Sequence, residues 1–203
     1  MSIIIQKVFI ESLAIDPGLK NSEDQLKYLL SIYDSEEDII ATAIPGVVVK
    51  ERRVICDHRG WSNENYRICE DNHKAVQGYN SMTYVGKVRG PHEHIKQTDF
   101  FVFFGHGTFE LSLWENRAGL PMGNHLKLLM PNGSSYSVLV PPGVVHGYKC
   151  VPTILCPGPL EQKKNISGIC WNGPDQYYAG ENRNEPVDEI RHENDPNSPF
   201  KIE

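Results

Sequence analysis

No apolar run in this chain of 203 residues reaches the roughly 18–20 residues that a bilayer requires, so no membrane span is expected. The opening Met1-Ser2-Ile3-Ile4-Ile5-Gln6-Lys7 lacks the basic segment and long apolar stretch of a secretion signal, which points to the cytoplasm. Positive charge is not in excess. The formal net charge is −6, and a nucleic-acid backbone is excluded as a natural partner. There is no Cys-x-x-Cys pair. Five cysteines (Cys56, Cys69, Cys150, Cys156 and Cys170) are odd in number, and reduced, partly buried thiols are the expected state. Asn165-Ile166-Ser167 matches a glycosylation sequon, which is accidental without a secretion signal. Internal repeats and low-complexity tracts are also missing, and the length calls for a single core.

What is present is mostly strand. Residues 3–10 are apolar and β-branched. Ser22 followed by Gln25 resembles a capping box, and Leu26, Leu29, Leu30 and Tyr33 recur at helical spacing, which predicts a short helix over about 23–34. From residue 46 the pattern becomes short strands between turn residues, at 46–56, 74–88, 100–104, 108–114, 125–130 and 136–140. Segment 151–167 reads as an ordered loop or insertion. Beyond 172 the chain is too polar for a core strand and is expected to wrap the surface. Many short strands and few helices predict an all-β jelly-roll barrel over 46–203, with residues 1–45 as an extension of strand plus helix packed on it.

Two blocks carry the chemistry, Gly90-Pro91-His92-Glu93-His94-Ile95-Lys96-Gln97-Thr98-Asp99 and Pro141-Pro142-Gly143-Val144-Val145-His146-Gly147. On a strand, residues i and i+2 share a face, so His92 and His94 project together. Asp99 returns beside them after a bend, and the Pro-x-Gly-x-x-His turn delivers His146 from another strand. Three imidazoles and a carboxylate suit Zn, Fe, Mn, Ni or Cu. The competing reading is a hydrogen-bonded barrel lining without metal. Outside these blocks His58, His73, His125 and His192 read as surface or capping residues and His106 as part of a loop. Phe100, Phe101, Phe103 and Phe104 read as core and dimer packing.

These blocks resemble the two motifs of the cupin superfamily. The first runs from Gly86 through His92-x-His94 and Asp99 to a turn with Gly105 and Gly107; the second is Pro141-x-Gly143-x-x-His146. The acidic position is Asp rather than the more usual Glu, and the Asn that often follows the last histidine is missing. The resemblance implies a cupin-type jelly roll.

Four further segments, in order, resemble the dTDP-4-dehydrorhamnose 3,5-epimerase family. They are Asp57-His58-Arg59-Gly60-Trp61-Ser62-Asn63-Glu64, Lys87-Val88-Arg89-Gly90-Pro91-His92, the Pro141–Gly147 block, and the ending from Asp188 to Phe200. The resemblance implies a homodimer that removes the acidic proton beside the ketone of a nucleotide-linked 4-keto-6-deoxy sugar and returns it on the opposite face. That chemistry takes a base, a group that stabilises the enolate oxygen, and an acid. In the family these are a His–Asp dyad, a Lys and a Tyr. His92 matches the base and Asp195 its partner. Arg59, Glu64 and Arg89 match substrate grips, the first two across a dimer interface, and Tyr148 is a further substrate-binding candidate.

Two positions depart from that pattern. Thr98-Asp99-Phe100 stands where the Lys should fall, and Ser167-Gly168-Ile169-Cys170-Trp171 where the Tyr should fall. A metal on His94, Asp99 and His146 could polarise the ketone in place of the Lys. If His92 were a ligand as well, the base would lie elsewhere, with Glu93, His106 and Tyr148 as candidates. The alternatives are a metal-dependent cupin enzyme, such as an oxygenase or small-acid isomerase, using His92, His94, Asp99 and His146 together, and a non-catalytic sugar-binding relative.

Overall fold

The structure, a computed structural model, describes residues 9–11, 43–105, 107–120, 122–130, 135–152 and 167–203. The helix expected at 23–34, His106, Asn165 and most of the 151–167 insertion lie outside the described residues.

The fold is a jelly roll of two antiparallel sheets. A six-stranded sheet runs in the order β1 (Phe9–Glu11), β9 (His125–Met130), β8 (Thr108–Glu115), β11 (Val144–Val151), β6 (Val88–Glu93), β13 (Ile190–Arg191). Facing it is a five-stranded sheet of β2 (Val48–Glu51), β10 (Tyr136–Val140), β7 (Asp99–Gly105), β12 (Ser167–Asn172) and β5 (Tyr79–Tyr84). Alternation places Phe101 and Phe103, Phe109, Leu111 and Leu113, Leu126, Leu128 and Met130, and Val138 and Val140 inside, where they form one core. Each such side chain contributes on the order of 1.5–3 kcal/mol on burial.

The expected bounds of β9 and β10 match those observed, whereas the strand expected at 46–56 is two elements. After Glu51 the chain leaves the sheet, and β3 (Val54–Asp57) pairs with β4 (Gly60–Asn63) as a separate hairpin. The break is held by Arg52, whose guanidinium bonds Ser137 Oγ at 2.9 Å and pairs with Asp71. Asp71 ends a short helix, α1 (Ile68–Asp71). The span 74–88 likewise divides between β5 and β6.

Segment 52–76 lies over the outer face of the five-stranded sheet. Trp61 meets Phe104 edge to face at 6.0 Å, and Phe100 is covered by His73, stacked at 5.3 Å, and by Tyr66. His73 is therefore not a surface residue. It is buried, and Nε2 donates to the Gly173 carbonyl at 2.7 Å. Of the four phenylalanines, Phe101 and Phe103 are core, while Phe100 and Phe104 anchor this outer layer.

The C-terminal segment crosses the other sheet, as its composition suggested. Ile190 and Arg191 extend the edge of β6 opposite Glu93 and His92. His192, in a 3₁₀ turn over His192–Asn194, sits 3.0 Å from Glu93 Oε1, and Phe200 packs against His192 and Trp114.

A bulge in β6 aims the site. His146 opposes His92 and Tyr148 opposes Arg89, so two steps on β11 face three on β6. Arg89 and His92 thereby share a face although three residues apart. Gly90, at φ +78°, allows this; a Cβ there would lie 2.7 Å from the His146 carbonyl oxygen and 3.1 Å from His92 Nδ1. Gly90→Ala should cost about 3 kcal/mol, read as a lowered midpoint in urea unfolding. An unchanged midpoint would show that the bulge relaxes freely.

Candidate functional site

The site spans the two sheets at one end of the lumen. His92 and His146 come from β6 and β11, His94 follows β6, and Asp99 opens β7 on the facing sheet. Ligand-capable atoms of all four lie within 4.8 Å of one another. The rings of His92 and His146 are 4.5 Å apart, and His94 lies 5.3 Å from His92 and 5.7 Å from His146.

Asp99 is 1 % exposed. Its Oδ1 accepts from Gln97 Nε2 at 2.8 Å and from Asn172 Nδ2 at 2.7 Å. Its Oδ2 lies 3.0 Å from His94 Nε2 and 3.1 Å from His146 Nε2. Those two approaches are close but poorly aligned, and both Oδ2 and His146 Nε2 are buried without a hydrogen bond. Burial alone would raise the Asp99 carboxyl; the His146 and His94 rings reverse this and hold it well below the usual carboxylate range.

The histidines are oriented from outside. His146 Nδ1 donates to the Val144 carbonyl at 3.0 Å and His94 Nδ1 to the Asp188 carbonyl, leaving both Nε2 atoms turned inward. Asp188 also accepts the Lys96 and Gln97 amides at 2.8 and 2.9 Å, so the C-terminal segment clamps the loop that carries His94. Gln97 Nε2 lies 3.1 Å from His94 Nε2. Burial opposes charging of His94, but contact with the Asp99 carboxylate outweighs it and raises its pKa. His92 differs from the other two. It is only partly buried, its ring makes no hydrogen bond among the described residues, and burial, helped by the His146 and His94 rings, pushes its pKa down to about 2.

This donor set fits a divalent ion. Inward Nε2 atoms fixed by Nδ1–carbonyl bonds are the usual support of metal-ligating imidazoles. An ionised carboxylate oxygen without a hydrogen bond supplies the anionic ligand.

Other expected residues fall elsewhere. Asp195 does not reach His92: it is exposed, and its Oδ1 accepts the Asn197 amide at 2.9 Å within its own turn. Tyr148 does not meet solvent: it is 6 % exposed, one layer below His146, with its hydroxyl 2.9 Å from Ser81 Oγ. Arg89 is exposed and bonded to Thr83 Oγ1 at 3.0 Å and the Met82 carbonyl at 2.9 Å. Arg59 pairs with Asp57, and Glu64 accepts from Arg67 Nε at 2.6 Å. Both belong to the outer layer and do not enter the lumen of their own barrel. Glu93 is buried on the outer side with His192 and Asn116. Gln97, Asn172 and Tyr79 were not expected at the site. The alternation Tyr79, Ser81, Thr83 ahead of Arg89 was the available signal for Tyr79.

No protein-family model matches the chain, and no curated protein matches it. Solved structures do. A dTDP sugar isomerase from Desulfovibrio desulfuricans superposes with a TM-score of 0.62 at 17 % identity, over 78 % of this chain and 92 % of that one. RmlC from Streptococcus suis, in complex with dTDP-D-xylose, gives 0.58 at 20 % identity, over 79 % of each chain. ChmJ, a 3'-monoepimerase from Streptomyces bikiniensis in complex with dTDP-quinovose, gives 0.57 at 18 % identity, over 73 % of this chain and 70 % of that one. At these identities the likeness establishes a shared fold.

The pKa of His92 sets an acid limit. An unfolded histidine takes up a proton near pH 6.5, whereas folded His92 resists until about 2. Between those values the unfolded chain binds more protons, so stability falls with acidification by up to about 1.4 kcal/mol per pH unit. His94, raised, acts above 6.5, and Asp99, lowered, acts below 3.8. In metal-free protein, His92→Gln should therefore flatten the loss of stability between pH 6.5 and 4, followed by urea unfolding at each pH. Parallel curves for the two proteins would refute the assignment.

Proposed function

We propose that this protein is a nucleotide-sugar epimerase or isomerase. Its substrate is a dTDP-linked 4-keto-6-deoxyhexose, its reacting carbon lies beside the ketone, and its setting is deoxysugar or polysaccharide synthesis. The division among the four clustered residues carries the reading. His94 and His146 crowd one oxygen of Asp99, while His92, its ring 4.5 Å from that of His146, makes no ion pair with the carboxylate and is partly exposed, neutral and with an unspent lone pair. His92 accepts the proton from carbon. The proteins with this fold named above are described as dTDP-sugar isomerase and monoepimerase, which supports the substrate class.

We place a divalent ion, Zn, Fe, Mn or Ni, on His94, Asp99 and His146. Bound there, it is a Lewis acid able to draw charge from a ketone oxygen, the task for which Asp99 itself has the wrong sign. Arg89, exposed on the same face of β6 as His92, offers a cation for the substrate. Arg59 and Glu64, outside their own barrel, are suited to reach the lumen of a second subunit, so the working unit is a homodimer. Free Cys56, Cys69, Cys150 and Cys170 fit a reducing cytoplasm.

A second reading is favoured by one observation. The depressed pKa of His92 and its lack of an orienting carboxylate suit a fourth metal ligand, as in a metal-dependent cupin enzyme, better than a strong base. Proton exchange in deuterated water with dTDP-4-keto-6-deoxyglucose separates the two. The wild-type protein should take up deuterium beside the ketone, lose that activity on chelation and regain it on reloading. His92→Gln should keep its metal and lose exchange by about 100-fold or more. Loss of metal together with exchange would transfer the assignment to the second reading, and no exchange by metal-loaded wild type would sink the epimerase.

A further inference from the structure

Tyr79 holds an uncommitted proton at the mouth of the barrel. It opposes Asn172 on β12, which opposes Phe101 on β7. Opposed residues share a face, and Phe101 is core, so Tyr79 points into the lumen. Asn172 is fully spent. Its Oδ1 accepts the Phe100 amide at 3.1 Å, and its Nδ2 donates to Asp99 Oδ1 at 2.7 Å and to the Tyr79 hydroxyl oxygen at 2.9 Å. Tyr79 is thus an acceptor toward Asn172, and a phenol has one proton of its own to give. Among the described residues nothing accepts it. Tyr148, another lumen tyrosine, sits beside Ser81 in the layer beneath.

We propose that Tyr79 is the proton donor of the epimerisation, acting on the face of the reacting carbon opposite His92. The inference rests on the epimerase reading above and adds its missing acid. β5, which carries Tyr79, belongs to the five-stranded sheet, and β6, which carries His92, to the six-stranded one, so the two side chains enter the lumen from opposite sheets. His92 takes the proton from carbon, and the C–H pair becomes the enolate. The enolate carbon then forms a new C–H bond with the Tyr79 proton as the O–H bond breaks, leaving a phenolate. Water at the open mouth reprotonates the phenolate and takes the proton from the imidazolium, which restores both groups. Tyr79 is 47 % exposed as a whole, so water reaches it. Burial around the hydroxyl, with the nearby Asp99 charge, pushes its pKa up to about 12, which keeps the proton in place at neutral pH.

The test separates exchange from inversion. With dTDP-4-keto-6-deoxyglucose in deuterated water, Tyr79→Phe should keep deuterium uptake and lose inverted product by about 100-fold or more, with metal content and melting temperature unchanged. Inversion within about threefold of wild type would overturn the proposal while leaving the epimerase reading intact. Wild type showing neither exchange nor inversion would instead remove the reading on which it rests. Should Tyr79→Phe fail to fold, 3-fluorotyrosine at position 79 keeps the shape and makes the phenol a stronger acid. Its inversion rate should change while exchange does not; an unchanged inversion rate would count against Tyr79.

Discussion

The burial of one carboxylate organises this site. Removing an ionised group from water costs several kcal/mol unless its oxygens are satisfied, and Asp99 is almost entirely enclosed. Two amides serve Oδ1 and two imidazoles crowd Oδ2. Each of these neighbours is itself held in place. Asn172 can turn both Nδ2 protons outward only because the Phe100 amide fixes its Oδ1. Gln97 lies in a loop whose amides are gathered by Asp188. The two histidines expose Nε2 because backbone carbonyls occupy Nδ1. The order of the site therefore radiates from the anion.

The barrel supplies what such an arrangement needs, a rigid wall on each side. Below the polar layer the lumen is filled by Phe103, Phe109, Leu111 and Tyr148; the Tyr148 ring meets Phe103 and Phe109 edge to face at 5.2 and 5.5 Å, and those two phenylalanines lie tilted at 5.1 Å. That plug keeps the polar residues in one layer at the open end, where a ligand can meet them. The C-terminal segment completes the wall from outside, through Asp188 on the His94 loop and through Ile190 and Arg191 on the edge of β6. A ladder at that edge and a hydrogen bond to a site histidine come from the same stretch of chain.

The legible part of this arrangement was the part encoded locally. His-x-His on a strand, a carboxylate five residues on and a Pro-x-Gly-x-x-His turn are short-range patterns, and all four side chains meet as their spacing implies. β9, which alternates strictly, and β10 also fall where expected. Errors arose where a side chain's fate is set by a turn closing on itself, by depth in the barrel or by a distant segment. Asp195 lies in the right motif, but the turn around it takes its Oδ1. Tyr148 has the correct inward parity yet sits one layer too deep, and depth in a barrel depends on strand stagger rather than on alternation. His73 looks like any polar-loop histidine until Phe100, 27 positions away, offers it a ring to stack on. Tyr79 escaped notice for the same reason. Its significance lies in Asn172, 93 residues later, which fixes the direction of its proton.

The exchange of charge at β7 has a further consequence. In the family this chain resembles, a lysine is expected near Thr98–Phe100, the stretch in which Asp99 sets a negative group beside three imidazoles. An anion there cannot assist an oxygen that gains negative charge, and left uncompensated it would oppose the reaction. Two cations can occupy the space that Asp99 creates, a proton or a metal. The raised pKa of His94 shows the first of these at work, since the carboxylate holds a proton on the neighbouring ring more tightly than water would. A divalent ion competes for the same lone pair and carries twice the charge. On the metal reading proposed above, binding at this cluster would displace protons with a stronger electrophile and weaken as the pH falls. On that reading the positive charge of the site would reside on an exchangeable ion rather than on a side chain, with Asp99 as the residue that makes the exchange possible.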